Sequence, residues 1–348
     1  PFDIETGLRR LGRRVTGSDH DHASTRLSRW LTTETGSDVT VADLDAVSAG
    51  ARRFNALFTA NSAQSSTRFA LTMIPTASIQ LLDIADEAAV RQLAESAGVP
   101  VPHIHHVCTD ESVLGGPFFI SIAVDGETVP RRVLRLIAKH DRLGSQITQQ
   151  IGSALAQLHS VPESLAPRSL LPNTGLAPIA HAISQVDEGL QQLLTPSPAF
   201  SFCARWLERN APTEPIEQTI VHSDVRNGNI IVGADGLRAI LDWEGSRIGD
   251  RIEDLSWTTQ RMWRFREDHL PIGGFGTIAD LRSAYLEHGG EWDDDRFRWW
   301  RVLLTVRWGL GMAGQSRAHL DGSFRSIVMS ASARRMAELE FDALQLLR

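Results

Sequence analysis

At 348 residues the chain is long enough for two cores rather than one. Its 42% hydrophobic and 22% charged content is that of an ordinary folded protein, and no apolar run approaches the roughly 20 residues that a membrane span needs. A net charge of −7 argues against a nucleic-acid partner, and two cysteines, Cys108 and Cys203, are too few for a disulfide framework.

The opening stretch PFDIETGLRRLGRR is amphipathic and lacks the apolar centre of a signal peptide, so a reduced cytoplasm is the expected compartment. Residues 1–36 read as helix, with a second amphipathic turn at STRLSRWLTTETG. Short β-like runs follow: DVTVADLDAVSAG leading to Gly50, FNALFTA at 54–60 and RFALTMI at 68–74, separated by polar turns. DIADEAAVRQLAESAG (83–98) reads as a helix with Asp83 as N-cap and Gly98 at its end. Two further strands are expected within 99–108 and 117–124. Beyond Gly126 the texture becomes helical. Ile147, Ile151, Leu155 and Leu158 form one helical stripe, PAFSFCARWLERNAP is another helix, and residues from 254 onward are helix-rich and crowded with tryptophan. The sheet-rich first third and helical remainder predict an α+β, two-lobe plan: an N-terminal lobe over 1–121, a joint at 122–126 and a helical lobe over 127–348.

The strongest β signal in the second half is IVHSDVRNGNIIVGADGLRAILDWEGS, 220–246. NIIV and LRAILD are strands around the turn GADG, so the chain leaves and returns to one place. Asp242 therefore lands near Asp224 and Asn229. Two carboxylates and an amide oxygen converging in this way suit Mg²⁺ with room for substrate phosphates, and a carboxylate left off the metal can accept a proton from an attacking hydroxyl.

His222, Asp224 and Asn229 at these spacings, followed by Asp242, match the H-x-D-x-x-x-x-N loop and metal-binding Asp of kinase-type phosphoryl transferases. The run VHSDVRNGNIIV…AILDWEGSRIGDRIEDLSW resembles the signature of the aminoglycoside phosphotransferase and choline kinase family, whose members share the bilobal protein-kinase-like fold, with Asp250 and Asp254 included. VLGGPFFISIAVDGETV (113–129) resembles that family's hinge and IGSALAQLHSV the helix after it. The resemblance implies an ATP- or GTP-dependent, Mg²⁺-dependent O-phosphotransferase acting on a small hydroxylated molecule. It makes Asp224 the catalytic base, gives Asn229 and Asp242 to Mg²⁺, leaves His222 to brace the loop and Asp254 to anchor its backbone, and assigns backbone hydrogen bonds to the purine from Ile122 to Val124. Glu244 stands where protein kinases have glycine.

One part of the pattern is missing. Kinases carry a lysine on the third strand that grips the nucleotide phosphates and pairs with a glutamate on the next helix. Glu87 is the candidate glutamate, but Thr72 occupies the lysine position, and of the 35 basic residues only Lys139, past the hinge, is a lysine. Arg68, Arg52 or Arg53 would have to substitute, and the phosphate loop has Gly50 alone. This departure raises a second reading, a catalytically impaired kinase-like binding protein; a metal-dependent hydrolase leaves the sheet lobe without purpose. Residues 251–348 carry 14 arginines against 14 acidic residues, not the acidic surface expected for a polycationic acceptor. His103 and His105 would share one face of a strand, but no cysteine or acidic cluster completes a metal site within that stretch, and these together with His106, His20 and His22 read as ordinary strand and loop histidines. The acidic run at 293–295 is expected to start a helix, and Trp299, Trp300 and Trp308 to serve core packing.

Overall fold

The computed structural model describes residues 17–49, 53–76, 81–171, 176–213, 215–323 and 325–348. Gly50 and Arg52, both expected at the phosphates, lie outside the described residues, as does the first part of the expected N-terminal helix. The chain forms two compact units, one drawn from Pro1–Ser96, Pro100–Asp125 and Trp243–Gly245, the other from Ala97–Val99, Gly126–Asp242 and Ser246–Arg348. Trp243–Gly245 join the first unit although they follow a strand of the second, which sequence order alone does not reveal.

The first unit opens with α1 (Gly17–Thr35), then strands β1 (Thr40–Ala49), β2 (Phe54–Asn61) and β3 (Ser66–Met73), helix α2 (Ile84–Ser96), β4 (Ile104–Cys108), the short α3 (Glu111–Leu114) and β5 (Phe118–Ile122). The strands make one antiparallel sheet in the order β1-β2-β3-β5-β4. Period-two alternation sorts its side chains onto two faces. Phe69, Leu71 and Met73 of β3 and Phe118 and Ile120 of β5 join Leu27 and Leu31 of α1 in one core. On the other face Phe119 of β5 packs with Ile84 and Ala88 of α2. β5 is thus buried from both sides, which explains an apolar run broken only by the buried Ser121. The Asp83 carboxylate accepts from the Ala85 amide at 2.8 Å and caps α2.

The second unit contains α4 (Pro130–Ile137), α5 (Leu143–His159), α6 (Pro178–Gln191), α7 (Pro198–Arg209), β6 (Gln218–Val221), β7 (Ile230–Gly233), β8 (Gly236–Ile240), β9 (Arg247–Asp250), α8 (Arg251–Trp257), α9 (Ile278–Glu287), α10 (Asp294–Asp321), α11 (Ile327–Ser332) and α12 (Met336–Leu346). The expected stripe of α5, Ile147, Ile151, Leu155 and Leu158, is buried. Asp293 caps α10 by accepting from the Arg296 amide, and Trp299 and Trp300 are core residues. β7 and β8 form the expected hairpin, whereas β6 pairs with β9, a strand of four residues that carries no β pattern of its own.

The chain enters this unit through Gly126, whose φ is +153°, and Glu127 then exchanges backbone bonds with Val232 of β7 (2.9 and 3.1 Å). A Cβ on Gly126 would stand 2.5 Å from Ile231 Cγ2 and 2.7 Å from the Val232 carbonyl oxygen, so this position admits only glycine. Gly126→Ala is expected to lower the unfolding free energy by about 1–3 kcal/mol in a denaturant titration, since backbone and a buried β7 side chain must both give way; an unchanged midpoint would show that the junction is slack.

Candidate active site

The loop from His222 to Asn229 lies wholly within the second unit. Ile220 and Val221 of β6 are fully buried and deliver the chain to His222, also fully buried. The fully buried Asp254 of α8 accepts the His222 amide at 2.7 Å and the Ser223 amide at 2.5 Å, so both carboxylate oxygens hold loop backbone. Burial alone would raise the Asp254 pKa, but the hydrogen bond from His159 and the nearby imidazoles hold it below the ordinary value. His159 lies 3.2 Å from Asp254 through Nε2 and 2.8 Å from the Tyr285 hydroxyl through Nδ1, closing a buried polar chain. Asp254 anchors the loop, as the resemblance implies.

His222 braces the same loop from inside. Its Nδ1 accepts the Asp224 amide at 3.1 Å, which fixes the proton on Nε2, and Nε2 donates to the Leu241 carbonyl at 3.0 Å. Burial lowers its pKa, in keeping with a neutral ring that ties the start of the loop to the end of the hairpin.

Asp224 Oδ1 accepts from Arg226 Nε at 3.0 Å and from Trp257 Nε1 at 2.8 Å, and Oδ2 accepts from Asn229 Nδ2 at 2.6 Å. Asn229 thereby turns its amide nitrogen to Asp224 and leaves its oxygen as the acceptor. The Leu241 amide donates to the Asn229 carbonyl at 2.8 Å, extending the hairpin register by one rung, so Asp242 emerges beside Asn229. Asp242 and Ser223 both adopt left-handed backbone, φ +66° and +65°, a conformation held only where surrounding contacts impose it. Desolvation raises the Asp224 pKa to about 6; Arg226 opposes the rise and the Asp242 charge adds to it. The two carboxylates are therefore within electrostatic reach of each other.

In the first unit Glu87 is almost completely buried and receives Arg53 Nη1 and Nη2 at 3.1 and 2.7 Å, a bidentate pair. Arg53 Nε also lies 2.6 Å from a carboxylate oxygen of Glu244. The cation that meets the helix glutamate is Arg53. Arg68 sits on the same sheet face as Thr72 but about 13 Å away along the strand, and makes an exposed pair with Asp125 at 3.2 Å. In the joint, the Ile122 amide donates to the His103 carbonyl at 2.8 Å and the Ala123 amide to the Arg68 carbonyl at 3.0 Å. Sheet bonds thus engage the Ile122 amide.

Two side chains that touch Asp224 escaped the sequence reading. Arg226 follows it by two residues and lies 4.5 Å above the Trp263 ring. Trp257 stands one helical turn after Asp254, so the residue that hangs the loop and the residue that donates to Asp224 share a face of α8; that i,i+3 spacing was the available signal. Trp257, Trp263 and Trp308 form a mutual cluster with centroids 5.4–5.7 Å apart, so Trp263 and Trp308 pack against the indole that donates to Asp224. Trp308 thus belongs to this cluster as well as to α10. His103 pairs with Glu95 at 3.0 Å and His106 packs edge-on against Trp30.

Because the folded state raises the Asp224 pKa, its ionisation destabilises the metal-free fold as pH rises through about 6. The stability difference between Asp224→Asn and wild type should therefore shift toward the variant by on the order of 1–3 kcal/mol between pH 4 and pH 8 in EDTA, whatever its offset at acid pH. A pH-independent difference in thermal unfolding would contradict the assigned shift.

The model of the phosphotransferase enzyme family matches residues 44–300. Among curated proteins the chain is 32% identical over 205 residues to acyl-CoA dehydrogenase family member 11 of Gallus gallus, covering 57% of this chain and 25% of that protein. It is 24% identical over 286 residues to acyl-CoA dehydrogenase family member 10 of Mus musculus, covering 78% and 26%. The chain thus spans about a quarter of the length of these relatives. Among solved structures it is similar to a protein of Ralstonia eutropha assigned to the aminoglycoside phosphotransferases, with TM-score 0.68, 20% identity and coverage of 92% and 98%. It is also similar to a spectinomycin phosphotransferase in complex with ADP and spectinomycin, with TM-score 0.59, 14% identity and the same coverage of 92% and 98%. These likenesses establish the kinase-like fold, and with the match over 44–300 they place the chain in the phosphotransferase enzyme family.

Proposed function

We propose that this phosphotransferase uses ATP or GTP with Mg²⁺ to phosphorylate a hydroxyl of a small molecule. The observation that carries the proposal is Asp224, held at both oxygens by Arg226, Trp257 and Asn229 and lying within electrostatic reach of Asp242. Asp224 would orient the acceptor hydroxyl and take its proton; with a pKa of about 6 it is ionised at neutral pH yet basic enough to share a proton in the transition state. Arg226 would hold the carboxylate in place and contribute positive charge beside the transferring group. His222, locked between the Asp224 amide and the Leu241 carbonyl, positions and does not exchange protons.

Two carboxylates and an amide oxygen form a hard, all-oxygen donor set, and Asn229 presents its oxygen because its nitrogen is engaged. Asn229 and Asp242 would hold the metal, which when bound neutralises charge on the transferring phosphates. Nucleotide use is supported by structural relatives captured with ADP or GDP. Glu87, with its arginine partner, and Val124 of the first unit are the residues proposed to meet the nucleotide.

The acceptor is approached by elimination and by kinship. Charge balance at 14 against 14 over residues 251–348, together with the indole cluster and Arg226 beside the base, does not favour a polycation. The curated relatives are named for acyl-CoA dehydrogenases, which makes hydroxylated acyl-CoA thioesters the first acceptor class to screen. The second reading, a nucleotide-binding protein with weak turnover, rests on Thr72 at the lysine position.

Calorimetric titration should show Mg²⁺-dependent binding of ATP or GTP to wild type, and loss of the magnesium dependence in Asp242→Ala. With an acceptor in hand, Asp224→Ala should reduce phosphate transfer at least about 100-fold, and the wild-type rate should rise with pH through about 6 as the base ionises. Transfer by Asp224→Ala at the wild-type rate would overturn the mechanism. Nucleotide binding without turnover on any hydroxylated acceptor would favour the second reading.

A further inference from the structure

The sheet register answers how a chain without the third-strand lysine brings a cation to nucleotide phosphates, and the answer rests on the phosphotransferase reading. Asn55 of β2 pairs with Thr72 of β3, and the Thr72 hydroxyl donates to the Asn55 amide oxygen at 2.9 Å, so the two share one face of the sheet. That is the face of Phe119, which pairs with Thr72 and packs under α2. Continuing the β2 register by one residue beyond Phe54 and Met73 makes Arg53 the diagonal neighbour of Thr72 on the same face, about 7–8 Å away. A guanidinium from Arg53 and an amine from a lysine at position 72 thus start from adjacent points on one surface and face the same helix glutamate.

The pairing matches that placement. Arg53 is only 11% exposed and its two terminal nitrogens are forked onto Glu87, itself 2% exposed, whereas Nε faces Glu244, which is 25% exposed. The inner carboxylate is a fixed anchor, because removing the arginine would leave a buried negative charge unpaired. The outer carboxylate is more hydrated and is the partner that an incoming anion replaces at smaller expense. Arg68 has neither relation: it lies toward the other end of β3 and pairs with an aspartate that is 83% exposed.

We infer that Arg53 is the phosphate-gripping cation of this chain, moved from the third strand to the start of the second, anchored by Glu87 and exchanging Glu244 for the α- and β-phosphates of the nucleotide. The relocation also explains how Thr72 is tolerated. Arginine brings a planar fork that holds the glutamate in two bonds and stays charged at every working pH.

The test compares affinities for Mg²⁺·ATP and for adenosine, which lacks phosphates, in wild type, Arg53→Lys, Arg53→Ala, Arg53→Ala/Thr72→Lys and Glu244→Gln, each checked for folding by circular dichroism. Arg53→Ala should weaken Mg²⁺·ATP binding by roughly tenfold to a hundredfold while adenosine affinity stays within about twofold. The added lysine in Arg53→Ala/Thr72→Lys should recover most of the loss, and Glu244→Gln should tighten Mg²⁺·ATP several-fold. If Arg53→Ala does not fold, Arg53→Lys carries the test, because it keeps a charge on Glu87 but loses the fork. Equal losses for ATP and adenosine, no loss at all, or no recovery by Thr72→Lys would overturn the relocation. Weaker or unchanged ATP binding in Glu244→Gln would overturn the exchange. Where wild type takes GTP instead, the same comparison is made with Mg²⁺·GTP and guanosine; wild type that binds neither nucleotide would remove the phosphotransferase reading beneath it.

Discussion

The second unit's chemistry hangs on one buried carboxylate. Asp254 has no exposure and spends both oxygens on the amides of His222 and Ser223, with His159 and Tyr285 completing its environment. A charge buried this deeply is tolerable only with several donors around it, and removing any of them would leave a large desolvation penalty uncompensated. That penalty fixes where the loop begins. Ser223 is bent into left-handed backbone by the grip, and His222 is then positioned to accept the Asp224 amide while donating to Leu241 at the far end of the hairpin. Asp224 and Asp242 are thus referred to one anchor although they stand 18 positions apart in the chain.

Electrostatics follow from this placement. Desolvation pushes Asp224 upward, the Asp242 charge adds to it, and Arg226 with the Trp257 indole holds the rise to about 6. Asp224 is therefore tuned by neighbours of different kinds: a cation that sits on one tryptophan, and a second tryptophan that donates directly to it. The aromatic wall beside Asp224 stands in a C-terminal region whose 14 arginines balance its 14 acidic residues.

Much of this was legible in the sequence because it is local. Two strands around GADG place Asp242 beside Asn229 by hairpin geometry alone, and the alternation of β3 identifies its buried face. The stripe of α5, the Asp83 cap and the Asp293 helix start also follow from short-range patterns. What was not legible depends on distant partners. β9 is four residues, RIGD, whose strand character exists only through pairing with β6. The choice between Arg53 and Arg68 is made by which sheet face lies under α2 and at which end, information that propensity does not contain. The hinge contacts expected of Ile122 to Val124 rest on resemblance alone, and that the His103 carbonyl takes the Ile122 amide depends on a partner distant in the chain. Trp257 was visible only as one of many tryptophans until α8 put it on the face of Asp254.

The central claim is that Asn229 and Asp242 bind a divalent cation together with nucleotide phosphates beside Asp224. Its most direct test is the water-proton relaxation of Mn²⁺, substituted for Mg²⁺, titrated with protein and ATP. The account expects a relaxation enhancement that marks a protein–Mn²⁺–nucleotide complex in wild type and that disappears in Asp242→Ala. An enhancement of equal size in both proteins, or Mn²⁺·ATP relaxation that added wild-type protein leaves unchanged, would contradict it.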